Sequence, residues 1–400
     1  MKKTRVVIIG AGYAGMMTAL RLAGKDTHRL ADITLINPTD QFVERIRNHQ
    51  FAADVRIQQH SIRKLLGSRP VSFVQGWVTA LDVQRRVVQV DVDGETREID
   101  YDKLVYTPGS VAARSNLPGV AEHTYNVATR PDAAALRDRL AELAPGSRVA
   151  VVGGGLTGIE SATEIAEAYP QLQVSLVTAG VPGKGLSGKG QAYLAETFKV
   201  MRIQVHDHTR VQRIEAGAVI TESGAHIEFD ACVWAGSFEA VPLARESGLA
   251  VNAKGQMLID PYMRSISHPD IYGAGDGAAP VDDPGAPLRM ACAVALPMGA
   301  HTADNLLALL EGQPQQPFNF GYVVQCVSLG RQRGLLQFVN ADDSPQEYIV
   351  TGRMGAIAKE LICQFAFRSL PAERMFPGLF LWLGKGGVPA NFDERISQHV

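Results

Sequence analysis

The sequence predicts an α/β protein built from two similar Rossmann-like units and a smaller α+β C-terminal segment. Three observations carry that expectation. A glycine fingerprint, Gly10-Ala11-Gly12-Tyr13-Ala14-Gly15, follows directly on the apolar run Val6-Val7-Ile8-Ile9. A second, Gly153-Gly154-Gly155-Leu156-Thr157-Gly158, follows Val149-Ala150-Val151-Val152 in the same way. The apolar runs and turns after each fingerprint come in the same order, an internal duplication of about 140 residues that is too long for a solenoid period.

Each fingerprint reads as a strand, a tight turn and a helix whose first amides face a pyrophosphate. The first glycine allows the turn, the second lets the backbone approach the phosphates, and the third lets helix and strand pack closely. One such motif is weak evidence. Two, each in its strand-to-helix context, point to two dinucleotides: a flavin that stays and a nicotinamide that comes and goes.

In the first unit, the strand at 5–9 leads into a helix from about Ala14 to Gly24 and a strand at 33–36. After the segment 38–70, residues 71–74, 76–81 and 86–90 alternate with period two and read as a meander. Asp93-Gly94 is a hairpin signal before the strand 96–99, and 101–109 closes the unit as a buried strand ending in Thr107-Pro108-Gly109. The second unit repeats the plan with a strand at 148–152, a helix at 157–168 and a strand at 174–177. A Gly/Pro/Ser/Lys loop over 180–190 precedes a helix at 191–199, and Cys232-Val233-Trp234-Ala235-Gly236 is the counterpart of 104–109. A helix near 291–311, a break at Pro314 and Pro317, three strands between 322 and 351 and a helix near 355–368 complete the chain. The expected domains are 1–115 with 260–317, then 116–259, then 318–400.

Composition narrows the function classes. Four hundred residues exceed one small core. The 46% apolar and 20% charged content is that of a soluble globular protein. A net charge of −2 leaves no footprint for nucleic acid. No uncharged apolar run reaches about 18 residues, so no transmembrane span is expected. Lys2, Lys3 and Arg5 precede an apolar stretch as in a signal peptide, but the glycine turn interrupts it, and a cytoplasmic location is expected. Cys232, Cys292, Cys326 and Cys363 are widely scattered, which fits a reducing compartment. Nothing before residue 232 can form a redox cysteine pair, and no metal-ligand spacing is present.

With these motifs the chain resembles the two-dinucleotide-binding-domain flavoproteins of the pyridine nucleotide-disulfide reductase superfamily. It looks most like the branch of type II NADH dehydrogenases and ferroptosis-suppressor-like or apoptosis-inducing-factor-like oxidoreductases. The resemblance covers residues 5 to about 310 well and the C-terminal segment more loosely. It implies that Gly10, Gly12, Tyr13, Ala14 and Gly15 hold the ADP half of a non-covalent FAD, and that Gly275-Asp276 hold its ribityl chain. Arg45, Val78, Thr107, Pro108 and Gly109 line the same cofactor, while Pro297 and Met298 approach its pyrimidine end. Gly153, Gly155, Leu156, Gly158, Thr178 and Gly236 would hold NADH or NADPH.

Several positions depart from the pattern. An acid usually binds the adenosine ribose about 20 residues past a fingerprint. Here Asn37 and Thr178 occupy those places. Without the second acid a 2′-phosphate is not repelled, and Lys184 or Lys189 lies just downstream to pair with it. On the acceptor side, Ala293, Pro297 and Met298 stand where membrane quinone reductases of this type carry glutamines.

The segment Phe42 to His49 takes the place of the redox cysteines of disulfide reductases. Its Arg47 and His49 are candidate catalytic groups, His49 as a proton donor. Glu160 and Glu164, one turn apart on the second fingerprint helix, complete the catalytic candidates, and the resemblance puts Glu160 beside the nicotinamide. The function expected is an FAD-dependent NAD(P)H oxidoreductase that feeds a quinone-like or other small organic acceptor without a redox disulfide. Two alternatives stay open: a flavoenzyme acting on its own organic substrate with a vestigial nicotinamide domain, and a nucleotide-sensing flavoprotein. The apolar stripe of 356–368, with Phe376, Leu379, Phe380, Leu381 and Trp382, would pack on the body, across a homodimer, or against a membrane surface as a peripheral contact.

Overall fold

A computed structural model describes residues 2–113, 117–281 and 288–383. Its first sheet is parallel throughout, in the order Ile271–Gly273, Lys103–Tyr106, Thr4–Ile9, Ala31–Asn37, Val71–Gln75. Buried on both faces, the central strand reads as the uninterrupted run Val6 to Ile9 rather than as an alternation. The helix Tyr13–Lys25 crosses over from it and packs on a second helix, Cys292–Leu310. Contact is so close that a Cβ on Gly299 would strike the backbone of Ala14, and Thr18 Oγ1 donates to the Gly299 carbonyl at 2.9 Å. Leu243, Ala244, Leu249 and Met257 also pack into this core.

The expected meander begins one strand later than the alternation indicated. Val71–Gln75 pairs in parallel with Ala31–Asn37, and the antiparallel set is Trp77–Asp82, Val87–Val92 and Glu95–Asp100. Period two marks a half-buried strand but does not say which sheet receives it. Asp93 and Gly94, with φ of 55° and 86°, form the expected turn.

The second unit repeats the design in a parallel sheet ordered Gln204–His206, Gln173–Val177, Arg148–Val152, Ala231–Trp234. The helix Leu156–Ala168 crosses over from its central strand. A small antiparallel sheet of Val211–Glu215, Ala218–Thr221 and His226–Glu228 matches the meander of the first unit.

In the last segment, Val324–Ser328, Gly334–Val339 and Pro345–Thr351 form an antiparallel sheet, followed by the helix Gly352–Met375. That helix runs well past residue 368, through Pro371. An internal proline costs about 3 kcal/mol, and here the last turn is anchored by tertiary contacts. The Glu373 carboxylate accepts from the amides of Gly378 at 2.6 Å and Phe380 at 2.9 Å and pairs with Arg21 at 3.3 Å. Arg21 also reaches Asp304 at 2.8 Å, which joins the helices Tyr13–Lys25, Cys292–Leu310 and Gly352–Met375 in one buried ionic knot. At its other end the C-terminal helix touches strand Gly334–Val339 backbone to backbone: a Cβ on Gly355 would collide with the Gly334 carbonyl.

The opposite face of this helix is apolar and outward. Met354, Ile357, Leu361 and Phe365 are each 45–64% exposed, in helical register, and Phe376, Leu379, Leu381 and Leu383 extend the patch. Packing on the body thus uses only one face.

Removing Glu373 strands part of a buried arginine. Glu373→Ala is expected to cost about 3–5 kcal/mol in urea unfolding, and Glu373→Gln distinctly less because it keeps an acceptor for the two amides. Equal stability of wild type and Glu373→Ala would show that the knot contributes nothing.

Candidate functional site

Both fingerprint helices start without a capping side chain. Gly12 is the N-cap of Tyr13–Lys25 and Gly155 of Leu156–Ala168, with no acid in either first turn. Three other helices are capped, by Ser61, Thr129 and Ser187, although Cys292–Leu310 and Gly352–Met375 also start without a capping side chain. Uncapped first-turn amides and the positive helix end together suit a phosphate. The glycines sort themselves accordingly. A Cβ on Gly15 or Gly158 would strike the carbonyl of Gly10 or Gly153, so these two allow helix and strand to meet, whereas a Cβ on Gly12 or Gly155 would meet nothing within 4 Å. Open space lies above both loops at these glycines, which would admit a phosphate.

Asn37 turns out to serve the first loop itself. Its Oδ1 accepts from the Ala11 amide at 3.0 Å and its Nδ2 donates to the Thr39 carbonyl at 2.8 Å. Thr107 Oγ1 donates to the Ile9 carbonyl at 2.7 Å, and Pro108 and Gly109 carry the chain over the loop. Val78 lies half-buried against the same core, in the first meander strand. Past Gly109, Ser110 Oγ donates to Asp276 at 2.7 Å, while Arg45 lies 3.5 Å from the same carboxylate and donates to Ser110 Oγ at 2.8 Å. Burial raises the Asp276 carboxyl, with Arg45 and Ser110 opposing. Gly275, at φ 73°, makes the turn that presents it.

Between Asp276 and the second fingerprint helix runs a line of orphaned polar atoms. Tyr13 Oη, Arg45 Nη2, Asn48 Oδ1, His49 Nε2 and Gln50 Nε2 are buried without a hydrogen-bond partner. Each such atom costs about 1–3 kcal/mol unless something polar lies against it. An elongated ligand with polar edges meets that need, and a flavin on a ribityl chain has that form. The residues present fit FAD.

In the second unit, Leu156 begins the helix and Thr178 packs its hydroxyl onto Gly154. Gly236 has no room for a side chain beside the Trp234 indole. Lys189 is less free than the sequence implied: its amide and that of Gly188 are bonded by the Glu347 carboxylate at 2.9 and 3.0 Å. Lys184 is exposed.

The two units and the C-terminal segment meet at Glu160. Its Oε1 accepts from Lys359 Nζ at 2.9 Å and from the Ser328 amide at 2.9 Å. Burial alone would raise Glu160, but Lys359, His49 and the Ser328 amide outweigh it and hold the carboxylate below its ordinary range. Burial would likewise lower Lys359, yet Glu160 keeps its ammonium well above the usual value. His49 sits between two carboxylates, Nδ1 3.7 Å from Glu160 and Nε2 3.9 Å from Glu164. Burial still pulls it down to about 4, with Glu160 only partly opposing. Glu164 accepts from Ser328 Oγ at 2.7 Å and is raised to about 7, mainly by burial. At neutral pH the imidazole is uncharged, and Glu164 keeps its proton to a higher pH than an ordinary carboxyl does. His49 is therefore not a resident cation at neutral pH.

Arg47 has a different part. Two bonds to Glu360, at 2.8 and 2.9 Å, and one to Glu44 at 3.2 Å engage it as a brace from the first unit to the C-terminal helix. Pro297 and Met298 are buried in the second turn of Cys292–Leu310, and the exposed residue of that helix start is Ala293. All four cysteines are free thiols. Though scattered in sequence, Cys292, Cys326 and Cys363 gather near Lys359, closely enough to act on one another's ionisation. Burial pushes Cys292 up to about 12 and Cys363 to about 11.

Sequence reasoning missed Lys359, Ser328, Ser110 and Glu360. Lys359-Glu360 was visible as a charged pair breaking an apolar stripe, which is the kind of signal that marks a buried ionic contact. The two serines gave none.

The chain belongs to the pyridine nucleotide-disulphide oxidoreductase family, whose model matches residues 4–303. It is accordingly an oxidoreductase, with FAD and a nicotinamide dinucleotide, NADH or NADPH, as cofactors. It is 29% identical over 349 residues to an NADH dehydrogenase-like protein of Mycobacterium tuberculosis, spanning 82% of this chain and 86% of that one. It is 26% identical over 381 residues to the demethylphylloquinone reductase of Synechocystis, spanning 91% and 92%. The structure of NDH2 from Plasmodium falciparum in complex with NADH superposes with a TM-score of 0.79 at 16% identity, covering 94% of this chain and 99% of that one.

Asp276→Ala removes a charged acceptor worth about 1.5–3 kcal/mol to a ribityl hydroxyl. The purified variant is expected to lose most of its flavin, measured as the ratio of visible to ultraviolet absorbance. Full flavin content would place the ribityl chain elsewhere.

Glu164 makes a prediction of definite sign. Its folded value of about 7 exceeds the ordinary 4.5, so the folded state retains a proton that the unfolded chain releases between those values. The resulting stabilisation is complete below about pH 4.5 and is lost as pH rises through 7. Glu164→Gln is uncharged at every pH. It is expected to match wild type near pH 4.5 and to exceed it at pH 8 by about 3 kcal/mol at most, read from denaturant midpoints. A variant no more stable than wild type at pH 8 contradicts a carboxyl buried in this state.

Proposed function

We propose that this protein oxidises a reduced nicotinamide dinucleotide bound at Gly153–Gly158 and passes the electrons, through FAD held at Gly10–Gly15 and Asp276, to a quinone-like or other small organic acceptor. The observation that carries the reading is the meeting of three parts at Glu160. The second fingerprint helix supplies Glu160 and Glu164, the segment beside the first fingerprint supplies His49, and the C-terminal helix supplies Lys359.

When bound, FAD supplies the ring that takes a hydride and releases electrons. The chain's own residues do the rest. First-turn amides of both fingerprint helices hold the pyrophosphates, and Asp276 fixes the ribityl chain between them. Glu160, kept ionised by Lys359, orients a carboxamide or accepts a bond from an acceptor hydroxyl. Glu164 is the carboxyl that holds a proton, and His49, uncharged between it and Glu160, passes that proton on to the acceptor as it is reduced, leaving Glu164 ionised until it is reprotonated from solvent. Lys359, 12% exposed, balances negative charge that develops nearby.

The relatives support the acceptor class, since one is named a demethylphylloquinone reductase and others type II NADH:quinone oxidoreductases. The absence of glutamine at 293 and 297 supports a contact set of this chain's own, made from Ala293, the thiols and Lys359. Nothing in the thiols favours disulfide exchange: Cys292 and Cys363 are protonated, and the thiolate is the reactive form. Among the described residues no helix is long and apolar enough to cross a membrane. The outward stripe Met354, Ile357, Leu361 and Phe365 would let the protein rest against a lipid surface from which an apolar acceptor arrives.

Gly155→Val places a branched side chain in the open space above the second loop. Anaerobic flavin reduction by NADH is expected to slow by about 100-fold or more, the equivalent of losing roughly 3 kcal/mol of phosphate binding, with flavin content unchanged. Reduction at the wild-type rate would reduce the second fingerprint to a structural turn.

A further inference from the structure

The end of strand Gln173–Val177 carries an arrangement that the reading above leaves unused. An acid placed there would bond the ribose diol and reject a phosphate ester on it. The residue is Thr178, 9% exposed, whose hydroxyl lies against Gly154. It therefore faces the dinucleotide loop, and no carboxylate takes its place.

The rim around Thr178 is built by the loop after strand Gln204–His206. Three backbone hydrogen bonds clip that loop on: Thr178 N to His206 O at 2.9 Å, Thr209 N to Thr178 O at 2.8 Å, and His208 N to Gly180 O at 3.4 Å. They bring His208 and Arg210 alongside residues 178–180. Lys184 arrives from the other side, because the neighbouring Gly183 amide is tied to the Gly154 carbonyl at 2.9 Å. All three basic side chains are exposed, and among the described residues none has an ion-pair partner. Asp207 and Glu222 are the nearest acids along the chain, and neither side chain is bonded to these cations.

We propose that this rim is a subsite for a phosphate monoester on the 2′ position of the adenosine ribose, so that NADPH is a substrate in its own right. Arg210 and Lys184 supply the charge, and His208 and Thr178 supply further donors. This rests on reading the second fingerprint as the nicotinamide site, but it predicts something that reading does not. A carboxylate-free strand end alone gives indifference between the two nucleotides. Two committed cations give a preference.

The test is calorimetric titration of the flavin-loaded protein with adenosine 2′,5′-bisphosphate and with 5′-AMP, which measures the subsite without hydride transfer. Wild type is expected to bind the bisphosphate about tenfold more tightly or better, as one charge-assisted contact would give, with the advantage shrinking as salt rises. Arg210→Ala should remove most of that advantage while leaving 5′-AMP within about twofold, and Thr178→Glu should reverse it. Equal or weaker binding of the bisphosphate overturns the proposal, as does an Arg210→Ala variant that loses both ligands equally. Anaerobic titration with NADH separates the two readings. A flavin that NADH does not bleach, in a protein that still prefers the bisphosphate, sinks the oxidoreductase reading and keeps the subsite. A flavin that NADH bleaches, without that preference, does the reverse.

Discussion

One buried ion pair, Lys359 with Glu160, sets the electrical state of everything around it. Moving either charge alone out of water costs several kcal/mol. The pair stands because it is close, at 2.9 Å, and because the Ser328 amide satisfies the same carboxylate oxygen. Once Glu160 is ionised and matched, a charge on His49 lacks a partner strong enough to offset its burial, so the imidazole is neutral. Glu164, one turn along the helix, is raised first by its own burial and further by the carboxylate already present at Glu160, and it retains its proton into the neutral range. Burial and this contact together set three protonation states. The same contact holds the C-terminal helix to the second fingerprint helix, so the site's charges and its shape are fixed together.

The fold was legible because its signals are local. Strand, glycine turn and helix occupy consecutive residues, and the duplication repeated them in the same order, so each unit checked the other. The misreadings fall where local pattern runs out. Val71–Gln75 alternates like its neighbours, yet its partner is a strand some forty residues earlier in sequence, and alternation does not name a partner. The helix after Gly352 outran its expected end because Arg21, more than three hundred positions away, grips Glu373 in its last turn. Propensity stops a helix at proline, and a remote cation carried this one on.

The site was legible in proportion to how much of it is backbone. The fingerprint glycines form the strand-to-helix turns that the motifs describe, and Gly275 turns the chain at Asp276. Asn37, at the ribose position of the motif, also braces the loop through Ala11, a use that spacing does not reveal. Lys359 and Ser328 reach Glu160 across separations of 199 and 168 residues, and no period or spacing connects them. The cysteines were scattered by the same measure and still converge. A third layer packed onto two nucleotide-binding units is invisible to motif reading until its contacts are seen.

The bare contact between Gly355 and Gly334 has a consequence for electrostatics. Lys359 lies four residues past Gly355, on the same face of the helix one turn along. The separation of helix from strand at the glycines thus fixes how far the ammonium extends toward Glu160. A single methyl group there would act as a wedge and push the helix outward by a fraction of its width. At 2.9 Å an ion pair has little slack, and an ångström of retreat would let water in and leave His49 and Glu164 to share the charge anew. Two residues with no side chains at all thereby work as the spacer that sets the reach of Lys359 toward Glu160.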